Sequence, residues 1–255
     1  MGPEIEEIKP YGMTEGAKGE QVERMFNSIA PSYDLMNRAM TLGIDKLWRR
    51  KAVKMIKARG TTKILDVATG TGDLALLMAR KLDPISVIGI DLSARMIEIG
   101  RRKIADSGLG DVVKLTVGDC LDLAYPDETF DCVTVAYGVR NFEDLRRGYS
   151  EMFRVLQPGG MICVIELSTP RSNIVRPIYN IYSMKIIPAI GRAVSRDPKA
   201  YTYLPLSIAA VPQGDDMLAI MADAGFVDTR CRTLTLGVCS IYTAVKPAAD
   251  SSADS

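Results

Sequence analysis

Lys63-Ile64-Leu65-Asp66-Val67-Ala68-Thr69-Gly70-Thr71-Gly72-Asp73-Leu74-Ala75 is the stretch that decides the fold. Residues 63–67 read as a buried strand, Gly70 and Gly72 as a tight turn, and Asp73 as the start of a helix. Glycine has no Cβ, so the backbone there turns sharply and comes close to a ligand. A second apolar run, 86–91, ends on Asp91, 19 residues beyond Gly72. A carboxylate at a strand tip accepts hydrogen bonds from both hydroxyls of a ribose. The pattern points to an adenosine-bearing cofactor.

Two cofactors compete for that place. The turn meets the dinucleotide fingerprint G-x-G-x-x-G/A with Ala75 in the last position, and Asp91 has about the right offset. A nicotinamide cofactor brings a pyrophosphate, which seeks a helix N-terminus. Here Asp73 occupies the first helical turn and Asp66 the preceding strand. Two carboxylates flanking the loop repel a pyrophosphate and welcome the ammonium and sulfonium of S-adenosylmethionine. Asp119, followed by Cys120, ends the next expected strand, where an adenine amino group can donate to it. Electrostatics favours the sulfonium cofactor, with an NAD-dependent oxidoreductase as the distant alternative.

The whole chain bounds the rest. Its 255 residues, 47% hydrophobic and 25% charged, suit one α/β domain with a substantial core. Lysine and arginine total 32 against 31 acidic residues, so there is no bulk basic field and nucleic acid is not the expected partner. The histidine count is zero, which excludes histidine triads, histidine metal sites and a histidine base; no metal is expected. Five scattered cysteines with no C-x-x-C pair read as small core residues of a reducing compartment. The polar residues 1–19 show no secretory signal, and no apolar run reaches the ~18 residues of a spanning helix. The expected location is cytoplasmic, peripheral at the inner face of the membrane.

Working outward, helices are expected at 21–29 and at 45–57, with Asp45 as N-cap and Gly60 as stop. Strands at 63–67, 86–91, 112–117, 130–137 and 161–167 then alternate with helices at 73–81, 94–106 and 143–156. Ser93 caps the second of these helices, and Pro158-Gly159-Gly160 turns the chain out of the third. Short apolar strands between amphipathic helices mean a parallel sheet buried on both faces. A helix at 214–224 and strands at 226–234 and 238–246 close the chain as an antiparallel hairpin. The expected organisation is a flexible segment 1–20, one domain 21–246 and a disordered tail 247–255. Within the domain, residues 169–213 are too long for an ordinary connection. They follow the fifth strand, beyond whose C-terminal end ligands of such sheets bind. Their isoleucines and tyrosines, interspersed with Arg171, Arg176 and Lys185, read as an apolar lid over a greasy substrate.

Several phrases together resemble the ubiquinone/menaquinone-biosynthesis C-methyltransferases across about residues 21–246. They are Tyr33-Asp34-Leu35-Met36-Asn37 with Trp48 eleven residues later, Arg154-Val155-Leu156-Gln157-Pro158-Gly159-Gly160, Tyr137-Gly138-Val139-Arg140-Asn141 and Tyr203-Leu204-Pro205-Leu206-Ser207-Ile208. The resemblance implies a Rossmann-like class I methyltransferase: a seven-stranded, mostly parallel sheet with the C-terminal antiparallel hairpin and the helical lid. It implies S-adenosylmethionine held by Thr71, Asp91, Asp119 and Cys120, with Gly70 and Gly72 shaping the loop beside Asp66. The family pattern commonly has a serine and a histidine where this chain has Thr41 and Asp45, so a mechanism through that histidine fails here unless Asp45 replaces it. A serine often found near the cofactor is replaced by Ala136.

The implied reaction is C-methylation of a polyprenyl quinol, demethylmenaquinol first, with a ubiquinone-pathway methoxy-benzoquinol or a soluble acceptor as alternatives. A homodimer and a transient membrane-surface contact are implied as well. Arg140 is the candidate that stabilises the phenolate, Tyr33 the residue that folds over the cofactor or ring, and Asn141 the one that orients the substrate. Their structural alternatives are an ion pair of Arg140 with Glu143 or Asp144, a packed turn at Tyr33, and an N-cap at Asn141.

Overall fold

The computed structural model describes residues 4–83, 85–189 and 197–248. Its strands are β1 Lys63–Val67, β2 Ser86–Asp91, β3 Val113–Val117, β4 Phe130–Ala136, β5 Leu156–Leu167, β6 Val227–Leu234 and β7 Cys239–Val245. They form one sheet in the order β3-β2-β1-β4-β5-β7-β6. β1 to β5 are parallel to one another, and β7 runs antiparallel between β5 and β6. The helices are α1 Lys18–Ile29, α2 Tyr33–Thr41, α3 Asp45–Lys57, α4 Asp73–Lys81, α5 Ala94–Ser107, α6 Leu145–Val155, α7 Val175–Ile181, α8 Pro198–Ala210 and α9 Asp215–Asp223.

Alternation along the central strands feeds two cores. Leu65, Val67, Val133 and Val135 pack on the α6 face with Tyr149 and Met152. Ile64 and Cys132 pack on the other face with Ile56, Met78 and Ile97. Burial on both faces is why these strands read as continuous apolar runs. Cys132, Cys163 and Cys239 are buried, unpaired core residues.

The chain steps outward from β1 to β3, then crosses β1 to add β4 on its other side. Strand ends part at such a switch point and leave a crevice. Here each strand ends in a left-handed residue, Ala68 (φ 51°) after β1 and Tyr137 (φ 61°) after β4. Gly138 makes the tight approach possible, because a Cβ there would lie 2.6 Å from Ala68 Cβ.

Four expectations change. Asp45 does not cap α3; the turn at residues 43–44 already leads into the helix, and the Asp45 carboxylate instead accepts from Thr41 and pairs with Arg49. Asn141 does not cap α6; Asp144 does, accepting from Arg147 N at 2.9 Å. Pro158-Gly159-Gly160 belongs to β5 as an irregularity, where the pairing jumps from Phe130–Leu156 to Cys132–Met161. The segment expected to be flexible carries structure from its fourth residue on: Ile5 is buried, and the buried Lys18 ammonium donates to Ile5 O (2.7 Å) and Arg140 O (3.2 Å).

The insertion after β5 contains α7, a π-helical turn Tyr182–Ile186 and α8. Its residues 190–196, with Ile190, Arg192 and Arg196, lie outside the described residues, as do 249–255 of the expected disordered tail. No helix among the described residues is long and apolar enough to cross a membrane.

Candidate active site

Two cavities open beyond the C-terminal ends of the parallel strands, and Tyr33 stands in the wall of both. The first, of about 360 Å³, lies over β1, β2 and β4 and is closed on its outer side by α1. Its walls and rim carry the carboxylates Glu20, Glu23, Asp91, Asp119 and Glu143, and no lysine or arginine among the described residues. Asp91 is held in place by Gly70 N–H and Ser93 N–H, both at 2.9 Å. Burial pushes its carboxyl up to about 6, against the pull of those two donors. Asp119 accepts from Leu121 N–H at 2.8 Å and lines the cavity. Cys120 lines the same space; burial first, and then Asp119, raise its thiol well above the usual range.

Asp66, Thr71 and Gly72 are not in these walls. Asp66 sits behind the glycine turn, accepting from Thr69 Oγ1 (2.6 Å) and from Thr134 Oγ1 (2.5 Å) of the paired strand β4. Burial lifts its carboxyl to about 6 despite those bonds. Thr71 donates to Asp34 Oδ1 at 2.7 Å and accepts from Lys103 Nζ at 3.0 Å. Gly72 faces Leu115, whose Cδ1 a Cβ would approach to 3.2 Å. Asp73 is also neutralised by Lys103. The acidic character assigned in sequence to Asp66 and Asp73 is therefore supplied at the cavity by Asp91, Asp119 and the glutamates of α1 and Glu143. The inference against a pyrophosphate keeps its force with different residues: that anion would meet five carboxylates and no cation.

The second cavity, of about 320 Å³, is apolar and is assembled from distant segments. Met40 and Leu42 come from α2 and its end, Trp48 from α3, Tyr137 from the end of β4, Tyr179 and Tyr182 from the insertion, and Val238 from the hairpin. Its two guanidinium groups are buried and ion-paired. Arg140 Nη1 donates to Glu166 Oε1 at 2.7 Å, with the side chains 8% and 2% exposed. This replaces the expected pairing with Glu143 or Asp144, because a 3-10 turn Val139–Asn141 directs Arg140 inward against β5. Asp45 pairs with Arg49, whose guanidinium lies 5.2 Å over the Tyr137 ring.

Tyr33 and Asn141 stand at the junction. The Tyr33 ring packs edge-on against Phe26, with centroids 6.0 Å apart, and burial raises its phenol while Arg140 and Arg49 oppose that. Asn141 lines the acidic cavity and accepts from Tyr203 OH at 3.2 Å. The arrangement can hold a cationic nucleoside on one side of Tyr33 and a greasy ring near a buried guanidinium on the other. Sequence reading missed Ser93 as an orienter of Asp91, α1 as a wall, and Arg49, Tyr137 and Trp48 as neighbours around one space. Trp48 and Tyr137 had a signal, since both stand in phrases that carry the family resemblance, and Ser93 had one as a helix cap.

The description "ubiE/COQ5 methyltransferase family" belongs to the family model that matches residues 14–246. A demethylmenaquinone methyltransferase of Bacteroides fragilis is 46% identical over 241 residues, covering 94% of this chain and 98% of the relative. A ubiquinone/menaquinone biosynthesis C-methyltransferase UbiE of Geotalea daltonii is 44% identical over 230 residues, covering 90% and 97%. Among solved structures, the [4+2]-cyclase SpnF aligns with a TM-score of 0.65 at 18% identity, covering 91% of this chain and 97% of that one. That structure shares the fold while bearing the name of another reaction, so fold alone does not assign the chemistry.

Proposed function

The chain belongs to the ubiE/COQ5 methyltransferase family, and on that premise we infer that it C-methylates a polyprenylated quinol, demethylmenaquinol before a methoxy-benzoquinol. The observation that carries this reading is the pairing of an acidic cavity with an apolar one across Tyr33. S-adenosylmethionine supplies the methyl group as an electrophilic sulfonium.

Asp91 takes the ribose hydroxyls, Gly70 permits close approach of the backbone, and Asp119 with Cys120 meets the adenine edge. Asp66, Thr71 and Gly72 act from behind, holding the loop through Thr69, Thr134 and Lys103. In the apolar cavity the accepting ring carbon is a weak nucleophile until the neighbouring phenol ionises. Arg140 favours the phenolate, being charged at every working pH, and Glu166 fixes its direction. The phenol proton passes to solvent, and the ring proton that the methyl displaces leaves the same way as the ring regains aromaticity and the sulfonium departs as the neutral thioether. Tyr33 and Asn141 set the ring against the cofactor side, and such alignment supplies about 7–11 kcal/mol.

The acceptor reaches this cavity from a lipid surface. Ile174, Ile178, Ile181 and Met184 are exposed along α7 and the turn after it, while Tyr179 and Tyr182 of the same segment line the cavity. Exposed Arg171, Arg176 and Lys185 surround that stripe, an arrangement suited to the interface of an anionic bilayer.

The test is transfer of isotopically labelled methyl from S-adenosylmethionine to chemically reduced demethylmenaquinol and to a reduced methoxy-benzoquinol, read by mass. Label in the first at the higher rate is expected. Label in neither, with S-adenosylmethionine bound, would overturn the acceptor class.

A further inference from the structure

Tyr137 Oη, Arg49 Nε and Arg140 Nε are buried and have no hydrogen-bond partner among the described residues, and all three belong to residues lining the apolar cavity. A buried donor without a partner loses its bonds to water and gains nothing in return. Native folds seldom leave one unless a ligand or water completes it. The Arg140 guanidinium is directed at Glu166 and the Tyr137 carbonyl, and its part in favouring the phenolate is given above. Tyr137 is oriented differently. Its left-handed backbone (φ 61°) and the bond from its N–H to Ile165 O (2.7 Å) fix where its side chain leaves β4. Its ring lies edge-on to Trp48, with centroids 6.4 Å apart, and under the Arg49 guanidinium. Arg49 is held by Asp45, which is held by Thr41 Oγ1 at 2.8 Å.

A quinol carries two ring oxygens para to one another. Ionising the oxygen next to the accepting carbon activates that carbon. The other oxygen remains a neutral hydroxyl and needs its own partner in an apolar cavity. We propose that the Tyr137 hydroxyl is that partner, a contact that positions the ring through the oxygen distal to the reacting carbon, with Thr41, Asp45 and Arg49 holding the Tyr137 ring in place. Burial keeps Tyr137 a neutral phenol, able both to donate to and to accept from the ring hydroxyl. The inference rests on the quinol reading and adds to it a residue that recognises the acceptor's second oxygen.

The experiment compares wild type with Tyr137→Phe on two acceptors: a reduced prenylated 1,4-naphthoquinol, and the 3-prenyl-1-naphthol that lacks the distal hydroxyl. One neutral hydrogen bond is worth about 3- to 10-fold. The variant is expected to raise KM for the naphthoquinol by about that factor with kcat nearly unchanged, and to treat the naphthol as the wild type does. A normal rate on the naphthol also shows that the variant is folded and binds S-adenosylmethionine. Trp48 is the chain's one tryptophan and lines the cavity, so quenching of its fluorescence gives the affinity for the unreactive quinone without turnover. The same loss is expected there. Equal losses on both acceptors, or none on the naphthoquinol, would overturn the proposal. Failure of the wild type to methylate the naphthoquinol is a separate result, which would overturn the acceptor class itself.

Discussion

The two cavities meet at Tyr33 and are built in opposite ways. The acidic one is made by successive strand ends and the turns that follow them: Gly70 after β1, Asp91 at the tip of β2, Asp119 after β3 and Gly138 after β4. The apolar one draws its walls from α2, α3, the end of β4, the insertion after β5 and the terminal hairpin. In the first, the proposed recognition rests on carboxylates, and burial disfavours the charged form of Asp91. In the second, cations sit in an apolar space and are sustained by the ion pairs Arg140–Glu166 and Asp45–Arg49. A binding group can therefore be read from position along the chain, whereas the reacting group can be read only from its neighbours.

Arg140 offers the sharpest break of this comparison. Arg140→Met is expected to lower kcat by about 10²- to 10³-fold, the usual worth of a preorganised charge at a reacting oxygen. S-adenosylmethionine affinity should hold, because Arg140 does not line the acidic cavity. The substitution also strands Glu166, which is 2% exposed, at a cost of about 3–5 kcal/mol in stability. Arg140→Met combined with Glu166→Gln should recover much of that stability and none of the turnover. Thermal melts and single-turnover rates on the two variants separate the roles. A double variant that regained activity would make the pair structural.

Asp91 is the matching break on the other side. Asp91→Ala removes the acceptor for both ribose hydroxyls and leaves Gly70 N–H and Ser93 N–H without a partner. Hydrogen bonds to a charged group are worth about 1.5–3 kcal/mol each, so calorimetry should show S-adenosylmethionine affinity reduced by about 100-fold or more. Quinone affinity read from Trp48 should not move. A parallel loss of quinone affinity would mean that the cavities are not independent across Tyr33.

The same contrast explains what the sequence could tell. β1, β2, the glycine turn and Asp91 are local, because strand period, a backbone with positive φ and a polar strand tip each leave a mark within a few residues. The hairpin and the length of the insertion were legible for the same reason. Arg140 was found, but its partner was not: Glu166 is 26 residues away on the neighbouring strand, and nothing in a linear pattern distinguishes it from the nearer Glu143 and Asp144. The Asp45–Arg49 pair has helical spacing and still gave no sign of lining a cavity, since that depends on the insertion and the hairpin closing over it. Lys18 failed in the other direction. A polar N-terminal segment reads as solvated, and only tertiary contact shows its ammonium bonded to the carbonyl of Arg140.

Titration sharpens the comparison further. The carboxyls of Asp91 and Asp66 lie at about 6 in the fold, against an ordinary 3.8. Between about pH 6 and 4 the folded chain therefore holds these protons more tightly than the unfolded chain does. Their contribution makes the free protein more stable as pH falls through that window, the reverse of a salt-bridged carboxylate. In its proposed role Asp91 meets the ribose as a carboxylate, so S-adenosylmethionine affinity should fall about tenfold from pH 7 to pH 5 while the free protein gains stability. Asp91→Asn should flatten the affinity profile, and Asp66→Asn should weaken the stability profile alone. Affinity that fell together with stability would indicate acid unfolding instead.

The smallest effect expected concerns how the greasy ring arrives. α7 has no buried residue, and Ile178 is 68% exposed, whereas Tyr179 and Tyr182 of the same segment line the cavity. An isoleucine partly inserted into a bilayer interface contributes about 1 kcal/mol, so Ile178→Asp should weaken binding to anionic vesicles about fivefold. Because the acidic cavity and the reacting groups lie elsewhere, kcat on a short-chain quinol in detergent should stay at the wild-type value. KM for a long-chain quinol embedded in vesicles should rise by the same factor as the loss of vesicle binding. If Ile178→Asp instead abolished a dimer and left vesicle binding intact, the stripe would belong to a second copy of the chain, and the lipid route into the apolar cavity would have to start at another face.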